Sequence, residues 1–276
     1  MKGRTLGGLI AERTYTNLLL IVLMNIVVIV GVIIIYRNIR QEIKLAQIKS
    51  DFVSNVSHEL RTPLALISMY SETLEMERVK TEEKKKEYYR VISQESNRLS
   101  RIVNSILSFS KIESGKRKYN FQPADLNELI TQVYENYKYH LETKGFTFKI
   151  SSNEQMPELE LDREAITEAV INLVDNAAKY SKEDKFIELK TLYYNSKPAI
   201  EVVDKGIGIS KEDQHKIFDK FFRVSTGLVH DTKGTGLGLT IVKHVIDSHN
   251  AKIELESNEG NGSTFRIIFN STKNSA

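Results

Sequence analysis

A chain of 276 residues, 41% hydrophobic and 27% charged, is long enough for a membrane segment and two modest soluble units, and too apolar for disorder to be the default. Its 39 basic and 36 acidic residues nearly balance, and a net charge of +3 offers no concentrated basic surface for nucleic-acid phosphates. With no cysteine, disulfides, thiolate zinc sites and thiol catalysis are excluded, so the chemistry must rest on histidine, carboxylates, hydroxyls, amides or phosphate.

Leu18 to Tyr36 reads LLLIVLMNIVVIVGVIIIY, uncharged and interrupted only by Asn25 and Gly31, which is long enough to cross a lipid bilayer as one helix. A cleaved signal peptide is the rival reading. The apolar run exceeds a usual signal core, however, and Tyr36-Arg37-Asn38 stands where small cleavage-site residues belong. Arg37, Arg40, Lys44 and Lys49 follow the span while Lys2, Arg4 and Arg13 precede it, so charge favours a cytoplasmic carboxyl side only weakly. The expected order is a short extracytoplasmic segment (1–17), a transmembrane helix (18–36) and a linker helix (37–47). So short a leading segment is below the roughly 40 residues that fold unaided, so either the stimulus enters elsewhere or the chain is a fragment.

From Ile39 onward, Ile43, Ala46, Val53, Val56 and Leu60 fall near heptad spacing, which predicts a coiled-coil-like helix ending around Met76. A lysine-rich turn from Val79 to Glu87 should break it, with the charge run Lys80 to Lys86 as the solvated tip. Tyr88, Ile92, Glu95, Leu99, Ile102, Ile106 and Phe109 then step by fours and threes towards Gly115, a suitable helix C-cap. One antiparallel hairpin exposes its seam on both sides. The economical expectation over 48–115 is therefore a four-helix bundle built from two chains, a homodimer.

Beyond Gly115 the pattern predicts a second, α+β domain over 116–271, followed by a tail (272–276). Strands are expected at Phe146 to Ile150, Phe186 to Tyr194, Ala199 to Val203, Lys252 to Ser257 and Ser263 to Phe269. Helices are expected at Asp125 to Lys144, Arg163 to Tyr180 and Leu237 to Ser248.

Phe52 to Leu64 reads FVSNVSHELRTPL, placing His58 on a helix with Glu59 beside it and Thr62 one turn later on the same face. A neutral imidazole nitrogen can attack a phosphoryl group if the proton on the other nitrogen is held or removed, a role that suits the adjacent Glu59 carboxylate. Thr62 could position a water. Pro63 cannot donate to the carbonyl of Glu59, so the helix is expected to be weakened beside the histidine and able to bend. A lone helical histidine is more often structural or merely exposed, and only its context can carry a catalytic reading.

In INLVDNAAKYS, Asn172, Asn176 and Lys179 share one polar stripe of a helix whose other face carries Ile166, Val170, Leu173, Val174 and Ala177. An ordinary amphipathic helix explains the apolar face alone. Two stacked carboxamides and a lysine add hard oxygen for Mg²⁺ and positive charge for phosphate, with Asn176 as the metal candidate. Asp204 in DKGIGI ends a predicted strand, and a buried carboxylate there could accept a hydrogen bond from adenine N6, where guanine presents an oxygen. Gly206 and Gly208 would leave room for the base. Lys233 to Leu239 reads KGTGLGL and opens a helix, so Gly234, Gly236 and Gly238 can turn backbone N–H groups towards phosphate. The chain contains no G-x-x-x-x-G-K-[ST] loop, and this late glycine run lacks the β-α-β setting of a dinucleotide fold.

Ser57 to Leu64, SHELRTPL, resembles letter for letter the H-box of bacterial two-component sensor histidine kinases. The asparagine stripe, Asp-x-Gly-x-Gly, IFDKFFRV and Gly-x-Gly-x-Gly, in that order, resemble the N, G1, F and G2 boxes of the ATPase fold shared by histidine kinases, gyrase, Hsp90 and MutL. The resemblance covers roughly residues 48 to 270, and five ordered motifs make it far more specific than any one match. With the transmembrane helix read above, it implies an antiparallel helical hairpin forming a dimeric four-helix bundle, followed by an α+β sandwich. It implies phosphorylation of His58 from ATP, assistance by Glu59, and a part for Thr62 in hydrolysing the aspartyl phosphate of a response regulator receiver domain. It also implies that Asn172 and Lys179 contact phosphates, Asn176 binds Mg²⁺, Tyr180 packs by the adenine and Asp204 selects it. Phe218, Phe221 and Phe222 would lie in or beside a lid running to Lys233, with Gly234, Thr235, Gly236, Leu237 and Gly238 forming the phosphate loop. Plain core packing is the competing reading for the phenylalanines. The implied setting is the bacterial cytoplasmic (inner) membrane, with the catalytic part on the ATP-containing side and no nucleic-acid partner. A clamp-type ATPase, a non-catalytic scaffold and a net phosphatase are the rival functions.

Overall fold

The computed structural model describes residues 6–153, 155–181, 183–222 and 235–270. Two compact units divide the chain, Met1–Asp51 and Phe52–Ala276.

The first unit is helical, the amino-terminal part of α1 (Leu6–Glu75). Among the described residues, the large apolar side chains from Leu18 to Tyr36 stand exposed. Mean hydropathy reaches 3.4 over an 18-residue window, so this helix is long and apolar enough to cross a membrane. Asn25, the polar interruption, turns its amide back on the helix, Nδ2 donating to the Ile21 carbonyl at 2.8 Å. That bond shields part of a group that hydrocarbon would leave unsolvated.

The second unit opens with a helical hairpin, the rest of α1 paired with α2 (Glu82–Glu113). Pro63 lies buried inside α1, which continues past it to Glu75. The lysine run differs from expectation. Thr81 caps α2, its Oγ1 accepting from the Lys84 N–H, and Glu82 and Glu83 favour the positive helix end, so Lys84, Lys85 and Lys86 belong to the helix and the turn is confined to 76–81. Tyr70 and Tyr88 close the hairpin below its tip, ring centroids 4.6 Å apart. Tyr88, Ile92, Glu95, Leu99, Ile102 and Ile106 are only half-buried along the seam, and Phe109 alone among these is buried. Gly115, at φ +64°, ends the helix as expected, with Lys116 N–H returning to the Lys111 carbonyl.

The remainder is an α+β sandwich. Its elements are β1 (Gln122–Ala124), α3 (Leu126–Glu142), β2 (Thr147–Ser151), β3 (Leu159–Leu161), α4 (Arg163–Tyr180), β4 (Phe186–Tyr194), β5 (Lys197–Asp204), α5 (Gly238–Ser248), β6 (Lys252–Ser257) and β7 (Ser263–Ile268). The large sheet runs β2-β4-β5-β7-β6, parallel between β2 and β4 and antiparallel elsewhere. Short β1 and β3, unforeseen from the sequence, pair antiparallel at one side. Alternation decides which sheet face meets the helices: Ile187, Leu189, Ile200, Val202, Phe265 and Ile267 point into a core shared with Leu129, Ile130, Ile166, Leu173, Ile241 and Val245. That leaves the polar stripe of α4 and the strand ends beside it for chemistry.

Candidate active site

His58 lies exposed on α1. Thr62 Oγ1 donates back to the His58 carbonyl at 3.3 Å, while Ser57 Oγ donates to the Val53 carbonyl at 2.8 Å. Glu59 turns across the hairpin, where its Oε2 accepts from Arg98 Nη2 at 2.8 Å. The three predicted residues are thus adjacent, with the carboxylate engaged by α2.

The second group is organised by α4. Asp162 caps it, Oδ1 accepting from the Ala165 N–H at 2.9 Å, and the apolar face from Ile166 to Ala177 is buried. Asn172 Nδ2 donates to the Glu168 carbonyl, and a Cβ built on Gly238 would stand 3.1 Å from Asn172 Oδ1. The first turn of α5 therefore starts against the first asparagine. At the penultimate position of α4, Lys179 reaches the Tyr180 hydroxyl at 3.1 Å and lies over its ring. The Tyr180 carbonyl accepts from Ile207 N–H at 3.0 Å, and a Cβ on Gly206 would fall 2.6 Å from that same oxygen. Only glycine admits so close an approach. Asn176, half-buried, sits along α4 between these two contacts. The helix is thereby flanked at Asn172 by Gly238 and at Tyr180 by the Asp204–Gly208 turn.

Asp204 is buried at the end of β5, Oδ1 accepting from the N–H groups of Gly206 at 2.7 Å and Ser263 at 3.2 Å. Burial raises its pKa above the usual carboxylate value, and the two backbone bonds oppose the shift. Gly208 (φ +67°) and Gly236 (φ +73°) occupy the left-handed region, and Leu237 is fully buried at the start of α5 with Thr235 Oγ1 near its N–H. Lys233 and Gly234 lie outside the described residues, as do residues 223–232 of the expected lid. The donor set fits a magnesium nucleotide: carboxamide oxygen for a hard cation, a lysine for phosphate, and a buried carboxylate beside glycines for the base.

The phenylalanines divide. Phe218 packs edge-on to Phe265 at 6.4 Å, as the core reading anticipates, and Phe222 is half-buried. Phe221, at φ +64°, contacts the helical hairpin, its ring 4.4 Å from Phe52 and 5.2 Å from Phe109. Nearby, Lys220 pairs with Glu113 at 2.6 Å. Arg117 bonds both Ser108 and Glu168, and Ser108 Oγ donates to Glu168 at 2.8 Å. Sequence reasoning missed Phe52, Arg98, Ser108, Arg117 and Glu168; these contacts join residues far apart in sequence, and no local spacing announces them.

A helical hairpin with an exposed histidine, joined to an α+β sandwich whose donor set fits a nucleotide, is the class that this geometry defines. Residues 161–273 match the model for histidine kinase-, DNA gyrase B- and HSP90-like ATPases, and residues 48–115 match the His Kinase A phospho-acceptor domain. Sensor protein RprX of Bacteroides fragilis is 37% identical over 254 residues, 90% of this chain and 48% of that protein. Sensor protein kinase WalK of Staphylococcus aureus is 34% identical over 242 residues, 87% of this chain and 39% of that protein. The chain thus spans less than half the length of either relative. The solved complex of histidine kinase ThkA with response regulator protein TrrA is similar at 26% identity and a TM-score of 0.57, over 87% of this chain and 67% of that one. The chain belongs to the sensor histidine kinase family.

Proposed function

We propose that this chain is a membrane-anchored protein-histidine kinase that phosphorylates His58 from ATP–Mg²⁺ and passes the phosphoryl group to an aspartate of a response regulator. The observation that carries this reading is α4, whose asparagine stripe meets Gly238 at one end and the Asp204–Gly208 turn at the other, in a chain that also exposes His58. One imidazole nitrogen forms the N–P bond as the bond from the γ-phosphorus to the bridging oxygen breaks and ADP leaves with the electron pair. The proton on the other nitrogen passes to Glu59. Asn172 and Lys179 hold phosphate oxygens, Asn176 holds Mg²⁺, Tyr180 flanks the adenine and Asp204 accepts from its exocyclic amine. The phosphate loop is assigned to Lys233, Gly234, Thr235, Gly236, Leu237 and Gly238, and further nucleotide contacts to Gly206, Gly208 and Phe222. Mg²⁺ supplies charge neutralisation on the transferring phosphate.

The half-covered hairpin seam supports a homodimeric bundle, since Leu64, Met69, Tyr89, Val103 and Leu107 remain exposed in one chain. The apolar α1 segment supports a single pass through a bacterial cytoplasmic membrane, with the catalytic unit on the ATP side. The similarity to ThkA, solved with a response regulator, supports the receiver-domain partner. Thr62 makes phosphatase activity a companion reaction.

The test is autophosphorylation of the full chain in lipid nanodiscs with γ-labelled ATP and Mg²⁺, beside His58→Gln and Asn176→Asp. Acid-labile, alkali-stable label lost in both variants is expected. ATP hydrolysis surviving unchanged in His58→Gln without any labelled protein would refute the kinase in favour of a clamp ATPase.

A further inference from the structure

The helices that flank the proposed nucleotide pocket, α4 and α5, run antiparallel. Asp162, which caps α4, meets the end of α5, while Asn172, midway along α4, faces Gly238 at the start of α5. Asp162 to Asn172 and Gly238 to His249 each cover about 15–17 Å of helix. The two contacts therefore fix one register. A slide of α5 along α4 would break the first and displace Gly238 at the second, where a Cβ would already stand 3.1 Å from Asn172 Oδ1.

His249 makes the first contact, and the partners of its two ring nitrogens leave one protonation state. Nδ1 lies 2.7 Å from the Val245 carbonyl, which can only accept, so Nδ1 carries a proton. Nε2 lies 2.9 Å from the Asp162 backbone nitrogen, whose N–H can only donate, so Nε2 presents its lone pair and the ring is neutral. The Asp162 carboxylate is held as well, Oδ1 accepting from the Ala165 N–H at 2.9 Å and Oδ2 from the Asn120 N–H at 2.8 Å. The rings of Tyr119 and Phe121 pack against the imidazole at 5.4 and 4.9 Å. Of the charges facing it, Asp162 from α4 favours a second proton and Arg117, ahead of Tyr119, disfavours one, while burial is the largest influence and keeps the ring neutral. On α5 itself, Asp247 pairs with Lys243 and His244 meets the Tyr119 ring at 6.4 Å. A proton added at Nε2 would set one donor against another.

Resting on the nucleotide site proposed above, we propose that neutral His249 is a positioning residue that pins the register of α5 on α4. The pin sets the spacing between the phosphate loop at the start of α5 and the stripe of Asn172, Asn176 and Lys179. Protonation of Nε2 withdraws it, so ATP affinity falls on acidification.

The experiment titrates ATP–Mg²⁺ into the full chain in nanodiscs between pH 7.5 and 5.5, for wild type, His249→Phe and His249→Gln, and follows phosphohistidine formation at saturating ATP. His249→Phe keeps a ring against Tyr119 and Phe121 but removes the acceptor of the Asp162 N–H. Its ATP affinity at pH 7.5 is expected to fall about three- to tenfold, the span of one hydrogen bond, with the saturated rate little changed because His58 and Glu59 lie on α1. Glutamine can place its amide oxygen where Nε2 stands and does not titrate, so His249→Gln stays near wild type at pH 7.5, and wild type loses affinity relative to it as pH falls. Selective ¹⁵N labelling of histidine, assigned by the signal missing from His249→Gln, should show Nδ1 protonated and Nε2 bare at pH 7.5. A His249→Phe protein that binds ATP like wild type, wild-type and His249→Gln affinities that fall in parallel, or a ring protonated at Nε2 overturns the pin while the kinase reading stands. Should His249→Phe not fold, the last two results decide. ATP binding without phosphohistidine refutes the kinase reading alone, and a wild type that binds no ATP refutes both.

Discussion

Gly208→Ala probes the turn that closes the proposed adenine side of the pocket. A Cβ at this position would lie 2.0 Å from the Asn258 carbonyl oxygen and 2.7 Å from its carbon, with φ at +67°. The left-handed backbone costs an L-residue about 1–2 kcal/mol. Because the overlapped atoms are backbone, no rotamer change relieves them. The 258–260 turn must retreat, breaking the 2.7 Å bond from Gly260 N–H to the Ile207 carbonyl, worth about 1 kcal/mol more. The expected destabilisation is about 3 kcal/mol, with weaker ATP binding because the turn also carries Asp204 and Gly206. Gly260→Ala is the control: φ is +84° but nothing lies within 4 Å of the added carbon, so only the backbone cost of about 1–2 kcal/mol applies. Urea unfolding of the full chain followed by circular dichroism, with ATP titration alongside, reads both. A Gly208→Ala protein as stable as Gly260→Ala would show that the close approach costs nothing and refute this account of the turn.

Phe221→Ala should detach the sandwich segment from the hairpin by removing ring contacts with Phe52 and Phe109, about 2 kcal/mol for the two. Amide exchange near Phe109 is expected to accelerate by roughly 30-fold, and unchanged protection would contradict the packing role. Stability should also fall on acidification through His249. Burial lowers its pKa below the ordinary 6.5, with Arg117 adding to the shift and the Val245 carbonyl bond and Asp162 opposing it. The folded state binds this proton less readily than the unfolded chain, so the contribution is complete above pH 6.5 and is lost as pH falls from there through the lowered value. Melting temperatures of wild type and His249→Gln between pH 7.5 and 5 check this. The variant should show a shallower loss, and His140 and His244, also lowered mainly by burial, retain the rest.

Strong periodicity made much of the fold legible. Arg163 to Tyr180 and Phe186 to Tyr194 form where the residue pattern puts them, because each presents one continuous apolar face to the core. The tip of the hairpin was harder: a run of lysines suggests a solvated turn, whereas the capping Thr81 and the two glutamates after it set the helix start. Strands of three residues such as β1 and β3 are too short to show any period. Sheet order, the parallel pairing of β2 with β4, and the partners of Phe221 and Glu59 are decided by contacts that no local window contains. The site residues were legible through motif order, but the engagement of Glu59 by Arg98 was not, since the two lie 39 positions apart.

The segment after Gly115 bears on how such proteins are cut and recombined. Similarity assigns 48–115 and 161–273 to two families and leaves the stretch between them unclaimed. Packing claims it: Arg117 grips Ser108 and Glu168, the Asn120 N–H donates to the capping Asp162 at 2.8 Å, and Tyr119 and Phe121 clasp the His249 ring from 5.4 and 4.9 Å. A chimera spliced after Phe121 would bring a foreign strap to a surface shaped for this one. A splice at Gly115–Lys116 carries the strap with the sandwich it binds and leaves Phe52, Ser108, Phe109 and Glu113 to be matched on the hairpin side.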